Sequence, residues 1–278
     1  MQNNHVESGL DLSTQLARAS RAEILKMTHR AGASHVGSAL SVVDVLAVLY
    51  ESVAKISPAS VDSYDRDCVI LSKGHACTAL YSVLALKGFF PLNWLERYCD
   101  DGAELSGHVT SAYIPGVELS TGSLGHGLPY GLGIQMSRKR SGISGRTFVI
   151  MSDGECDEGT TWESALIASH HGIDSLVVII DRNGIQSMGS TEETLALEPF
   201  KSKWESFGWK VHTLDGHDHG AIFSVLTLPS TGKPTCIIAN TVKGKGVDYM
   251  ENQVLWHYRP PNENDLEKAL NQIMKEQK

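Results

Sequence analysis

A doubly wound, mostly parallel α/β sheet with helices on both faces is the fold this sequence predicts, on three observations. Short β-branched runs alternate along the chain with helical patterns, the order that builds parallel sheets. The run Leu176-Val-Val-Ile-Ile180 is apolar at every position, which suits a strand covered on both faces. Its 278 residues are 41% hydrophobic and 20% charged, enough to bury a large core without staples. The length suits one large domain or two small ones. With no internal repeat or low-complexity linker, one domain over 1–278 is expected.

In chain order, a helix is predicted over 12–30 and another over 41–54. Ser41-Val-Val-Asp44 reads as a capping box for the second, with Asp in the Glu place. A strand at 67–71 leads to a helix at 75–88. The next helical segment, 122–138, carries Gly122, Gly125, Gly127, Gly131 and Gly133, small residues that allow close approach. A strand at 147–151, a helix at 159–171 and the strand at 176–180 follow. Then come a helix at 199–207, a strand at 209–214, a helix at 218–227, a strand at 235–240 and a helix at 264–276. The stretch 240–262, rich in Gly, Lys and aromatics, reads as a long active-site loop, since loops of that length are functional or disordered.

Composition excludes several classes. The formal net charge of −8 argues against nucleic-acid and anionic-membrane partners, which reward basic patches. Arg138, Lys139 and Arg140, with Arg146 nearby, read as a helix C-terminal end running into a loop. No apolar run is expected to reach the roughly 18 residues of a membrane helix, and the N-terminus carries no apolar signal core. Cys68, Cys77, Cys99, Cys156 and Cys236 form no C-x-x-C pair, so reduced thiols and a cytoplasmic place are expected. Gly131-Leu-Gly133 lacks the third Gly of a dinucleotide fingerprint, and Lys243-Gly-Lys-Gly246 lacks the Ser or Thr of a Walker A loop.

The most informative stretch is Thr147-Phe-Val-Ile-Met-Ser-Asp-Gly-Glu155. A strand ends and an acidic turn follows. Asp181-Arg-Asn-Gly-Ile185 stands about thirty positions on, after the next buried strand. Asp-Gly or Asn-Gly alone marks a turn. The pair would deliver Asp153 and Asn183 to one sheet edge, at the carboxyl ends where such folds bind ligands. A carboxylate, an amide oxygen and a backbone carbonyl, assigned to Ile185, make a Mg²⁺-type (or Ca²⁺) site completed by diphosphate and water. A helix starting near Gly159 is expected to aim its N-terminus at the same place.

These motifs resemble the thiamine-diphosphate enzymes, whose fingerprint is Gly-Asp-Gly followed by Asn; Ser152 replaces the first Gly. From about Ala17 to about Pro260 the resemblance narrows to transketolases. Ser34-His35-Val36-Gly37, Leu71-Ser-Lys-Gly-His75 and Ser106-Gly-His108 are similar to their three His motifs. Ser120-Thr-Gly-Ser-Leu-Gly-His-Gly127 is similar to their ring-contacting segment, and Asp153-Gly-Glu-Cys-Asp-Glu158-Gly to their metal turn. Asp215-Gly-His217-Asp and Trp256-His257-Tyr-Arg-Pro also match. His170, His171 and His219 are left as structural or surface residues.

The resemblance implies thiamine diphosphate as cofactor, with ketol transfer between a ketose and an aldose. It implies His35, His108 and His257 around the sugar, Glu158 near the symmetry-related site, and cofactor contacts from His75, Gly122, Ser123, Leu124, Gly154, Glu155, Asn183 and His257. It is closest to the N-terminal subunits of split transketolases, which pair with a C-terminal subunit carrying the pyrimidine-binding domain; an α₂β₂ assembly acting on sugars or sugar phosphates is expected. The alternatives are the α-chain of a 2-oxo acid dehydrogenase, a deoxyxylulose-phosphate synthase-like enzyme, or a non-catalytic cofactor-binding scaffold.

Overall fold

The computed structural model describes residues 2–275, with side chains from Gly9 onward. The elements run α1 (Gln2–Arg30), α2 (Val36–Val48), β1 (Cys68–Leu71), α3 (Cys77–Leu86), α4 (Gly127–Ser141), β2 (Thr147–Ser152), α5 (Gly159–His170), β3 (Leu176–Arg182), α6 (Thr191–Thr194), α7 (Phe200–Ser206), β4 (Lys210–Asp215), α8 (His219–Leu226), β5 (Thr235–Asn240) and α9 (Glu263–Lys275). The sheet has the order β1-β2-β3-β5-β4, and every pairing is parallel. All five carboxyl ends therefore lie along one edge.

Alternation along each strand makes two cores. Val69, Leu71, Phe148, Ile150, Val177, Ile179, Ile237 and Ala239 face a layer made of α1, α2, α3, α8 and α9. Ile70, Val149, Met151, Val178, Ile180, Cys236 and Ile238 face α4, α5 and α7. Burying both faces is why β1, β2, β3 and β5 read as apolar runs, whereas β4, at the sheet edge, is half-exposed and mixed in polarity.

Several expectations change. Helix α2 begins at Val36, not 41. Ser41 and Asp44 are buried inside it, so they form no capping box; each reaches a distant partner instead. The stretch Val36–Val53 does reach 18 residues at a mean hydropathy of 1.6, contrary to expectation, but 89% of it is buried within the molecule. Ser38, Ser41 and Asp44 interrupt the apolar run locally and hide its length. The helix expected at 122–138 starts at Gly127, so Gly122 and Gly125 belong to the loop before it. Residue 276 of the expected last helix lies outside the described residues. The basic cluster does end α4, and a left-handed Gly142 closes it.

Gly131 and Gly133 behave differently. A Cβ on Gly131 would stand 2.7 Å from Val149 Cγ2, whereas one on Gly133 meets nothing within 4 Å. The first is a close contact between α4 and the sheet; the second is a helix-interior glycine without that role. Gly131→Ala is expected to cost about 1–3 kcal/mol through overpacking. Gly133→Ala should gain about 0.5–1 kcal/mol through helix propensity. Denaturant titration of the two variants checks this; shifts of the same sign would refute the assignment.

Candidate functional site

The carboxyl edge of the sheet carries the site. Strand β1 runs into Ser72-Lys73-Gly74-His75. A Cβ on Gly74 would lie 2.3 Å from the Thr121 carbonyl, so only glycine lets segment 109–122 cross there. Strand β2 delivers Ser152 and Asp153, and β3 delivers Asp181 and Asn183. Beyond β5 the chain reaches Lys243 and then His257. His35 sits just before α2 in a left-handed conformation (φ 71°), a strained position of the kind that clusters at functional sites. Its backbone N–H donates to the His257 carbonyl at 2.8 Å, so the two rings are fixed together.

Four imidazoles converge. Ring centroids stand 5.3 Å apart for His35 and His75, 5.8 Å for His35 and His108, 4.9 Å for His35 and His257, and 5.8 Å for His75 and His257. They line a cavity of about 210 Å³ together with Ser38, Lys73, Gly122, Leu124, Ser152, Asp153, Gly154, Asn183, Ile185, Gln186, Ser187 and Lys243.

Two ammonium groups set its electrostatics. Lys73, fully buried, is ion-paired with Asp181 and donates to the Ser38 carbonyl at 3.1 Å. Burial alone would push the Asp181 carboxyl up, but Lys73 and hydrogen bonds from Ser41 and Thr241 more than reverse it. Lys243 donates to the Ile185 carbonyl and contacts His257 Nδ1, both at 3.0 Å. Burial, with Lys73 beside it, lowers Lys243 to about 8. An ammonium only donates, so His257 Nδ1 accepts and the neutral ring carries its proton on Nε2. Burial also lowers His35 to about 4, helped by His108 and the two lysines. It lowers His257 to about 3, helped by Lys243, His35 and Lys73, and carries His75 well below the ordinary range.

Asp153 and Asn183 do reach one edge. Asp153 accepts from the Gly154 N–H at 2.8 Å and the Gly184 N–H at 2.7 Å, with Arg182 at 3.4 Å. Burial pushes its carboxyl up. Asn183 Oδ1 accepts from the Ile185 N–H at 3.1 Å. Ile185 lines the same wall, so Asp153, Asn183 and Ile185 all border one small polar cavity.

Not every expected residue lines it. Glu155 is buried behind the wall, where its carboxylate accepts from Ser72 and from the Gly125 N–H. Ser123 and Glu158 are exposed and outside the lining, as is Gly159 at the start of α5. The short 3₁₀ turn Gly154–Asp157 intervenes, so Gly154 rather than α5 meets the cavity. The unforeseen members are Lys73, Lys243, Ser38, Gln186 and Ser187. Lys73 stood inside the motif read for His75, and Lys243 inside the segment 240–262 read as an active-site loop, but neither lysine was singled out there. Segment 240–262 is a long connection, but Val247, Met250 and Trp256 in it are buried. The Gly244 N–H donates to the Gly37 carbonyl at 3.0 Å, and Asn252 N–H to the Lys243 carbonyl at 2.9 Å.

Residues 12–276 are matched by the family model for the thiamine diphosphate binding domain of transketolase. A protein of Actinobacillus succinogenes named as one of the subunits of an apulose-4-phosphate transketolase is 38% identical over 262 residues, 94% of this chain and 95% of that one. A 6-deoxy-6-sulfo-D-fructose transketolase subunit from a Clostridium species is 36% identical over 97% of this chain and 98% of its own length. Among solved structures, the Campylobacter jejuni transketolase superposes with a TM-score of 0.87 at 28% identity, covering 96% of this chain and 43% of that one. A Pichia stipitis transketolase gives 0.90 at 25%, covering 95% and 41%. This chain thus spans about two fifths of those transketolases.

The lowered imidazoles predict a pH dependence. His35 and His257 have folded pKa values below their ordinary 6.5, so between about pH 6.5 and about pH 4 the unfolded chain binds protons that the folded chain refuses. Stability contributed by these rings is therefore lost as pH falls through that window. His257→Gln should flatten the decline in melting temperature relative to the parent; parallel curves would refute the shift.

Proposed function

This chain belongs to the transketolase family through its thiamine diphosphate binding domain, and on that premise we propose that it is the diphosphate-holding subunit of a transketolase divided between two polypeptides. The observation that carries the reading is the convergence of four imidazoles, Lys243 and the Asp153–Asn183 pair on one cavity. Relatives named as transketolase subunits match this chain over nearly their full length, which favours this reading over the 2-oxo acid dehydrogenase, synthase and scaffold alternatives.

Asp153, Asn183 and the Ile185 carbonyl would hold a divalent cation, Mg²⁺ or Ca²⁺, as a hard-oxygen set does. Lys243, His75 and His257 would face the diphosphate. When bound, thiamine diphosphate supplies the electron sink that lets the C2–C3 bond of a ketose break. His35 and His108 would orient the sugar hydroxyls. His257 and His35, neutral at pH 7, can accept a hydroxyl proton, and an anion bound beside them raises their proton affinity toward the working range. Glu158 and Ser123, exposed at the rim, are proposed to meet the partner protein rather than the cofactor.

The partner would be a C-terminal subunit carrying the pyrimidine-binding domain, in an α₂β₂ assembly. What supports it is the naming of the relatives as subunits and the exposure of Tyr130, Met136, Leu166 and Ile167 on the adjoining helices α4 and α5. The donor would be a ketose or ketose phosphate, the class to which the relatives' names point. Five free cysteines suit a cytoplasmic place.

Three outcomes test the proposal. Asp153→Ala should abolish Mg²⁺-dependent thiamine diphosphate binding by the assembled complex, while His35→Ala should lower turnover about 10²–10⁴-fold with a smaller effect on cofactor affinity. Unchanged binding in the first, or near-parental turnover in the second, would sink the corresponding role. The chain purified alone should show no ketol transfer, and addition of its cognate C-terminal subunit should restore it at a fixed stoichiometry; robust turnover by the lone chain would refute the division.

A further inference from the structure

The segment Asp215-Gly-His217-Asp starts at the last residue of β4 and lies outside the cavity just described. His217, Asp44, Arg21 and His219 line a separate groove that shares no residue with that cavity. We propose that His217 is a positioning residue: its imidazole, oriented by Asp44, anchors the backbone at Val242 and so sets where the Lys243 ammonium stands. This rests on the reading of Lys243 as a diphosphate contact.

The hydrogen bonds leave His217 a single neutral form. The Val242 N–H donates to His217 Nε2 at 2.9 Å. A backbone N–H cannot accept, so Nε2 presents its lone pair and the ring proton is on Nδ1. That Nδ1–H points at Asp44 Oδ2, 2.7 Å away. An imidazolium or the Nε2–H tautomer would turn a hydrogen against the Val242 hydrogen. Asp44 is positioned in turn by Arg21 at 2.5 Å and by His219 Nε2 at 3.1 Å. His217 is also held through its own N–H, which donates to Asp215 Oδ1 at 2.9 Å.

The same network grips the chain on both sides of Lys243. His217 takes the N–H before it, while Arg21 Nε donates to the Lys245 carbonyl at 3.3 Å. Between these points the Gly244 N–H is tied to Gly37, two residues from His35. Lys243 needs such an anchor because its side chain is buried next to a second ammonium, Lys73, and reaches the cavity wall at the Ile185 carbonyl. Burial pushes the Asp44 carboxyl up, but Arg21, His217 and His219 together hold it well below the carboxylate range, so the acceptor for His217 stays charged.

The test combines one measurement on the unaltered chain with variants. Nitrogen-15 spectra of histidine-labelled full-length chain at neutral pH should show His217 as the Nδ1–H tautomer; a dominant Nε2–H form or imidazolium would overturn the proposal without any variant having to fold. Binding of Mg²⁺ with inorganic pyrophosphate, followed by calorimetry, should weaken about tenfold in His217→Ala, the scale expected when an orienting partner is lost. Amide exchange should accelerate over 242–246, and His217→Gln, which keeps an acceptor there, should recover part of the affinity. Lys243→Met is measured in parallel. If it loses affinity while His217→Ala binds like the parent, the positioning role fails and the diphosphate reading stands. If Lys243→Met itself binds like the parent, both fail. A His217→Ala variant that melts earlier yet binds unchanged would show a merely structural residue and refute the proposal.

Discussion

The buried pair of Lys73 and Asp181 is the interaction on which the rest of the site depends. Both side chains are wholly removed from solvent, and their partners come from four parts of the chain. Asp181, at the end of β3, also receives Ser41 from α2 at 2.6 Å, Thr241 from the end of β5, and Asn183 Nδ2 at 3.2 Å. Lys73, beyond β1, adds the Ser38 carbonyl. Burying two charges costs several kcal/mol per ion, which the pair's attraction offsets only when remaining donors and acceptors are satisfied. Here they are. The pair therefore does little for net stability and much for geometry: it fixes the ends of β1, β3 and β5 against α2, and those ends carry His75, Asn183, Lys243 and His35.

That arrangement decides the protonation states above it. Removing water disfavours any charged form, and two ammonium groups disfavour further positive charge. Among them the His35, His75 and His257 rings are held neutral, while the lysine less completely compensated, Lys243, falls to about 8. The cavity thus holds neutral rings that can accept or donate hydrogen bonds, next to cationic groups that suit a polyanion. A diphosphate would relieve both tensions at once, by balancing the ammonium charge and by raising the imidazoles' affinity for protons. The sequence-level assignment of His35, His75, His108 and His257 to one place is physically coherent for this reason.

Much of the fold was legible because the parallel sheet buries both faces. Four strands announce themselves as apolar runs, the edge strand β4 (Lys-Val-His-Thr-Leu-Asp) being half-exposed and mixed in polarity, and all five were found to within a residue or two. What stayed hidden depends on distant partners. Ser41 and Asp44 have the spacing of a cap, yet their partners are Asp181, Arg21, His217 and His219, which no local pattern can supply. His35 opens α2 in a left-handed turn that residue identity does not advertise. Lys73 and Lys243 look like surface charges until the topology places them in one cavity. Glu155 shows the reverse: the motif pointed to the cofactor, but the side chain spends both oxygens on Ser72, Gly125 and Ser152.

The site also lies on the seam between the two cores, and this explains why both layers matter to it. His35, from the α1–α2–α3 side, lines the cavity together with Gly122 and Leu124, which lead into α4 on the other side. The sheet edge alone could not hold these groups at fixed separations, because the connecting segments are irregular. They are held by cross-links instead: Thr121 Oγ1 donates to the Leu71 carbonyl at 2.7 Å, Gly127 N–H to Ser72 Oγ at 3.1 Å, and Thr160 Oγ1 to the Gly125 carbonyl at 2.8 Å. Each bond joins the glycine-rich approach to α4 with a strand end or with α5. Any bulkier residue at Gly125 or Gly127 would strike Thr160, Glu158 or Ser72. The glycines of this segment are therefore a packing requirement first, and through that requirement they bring backbone close enough to the cavity to form one of its walls.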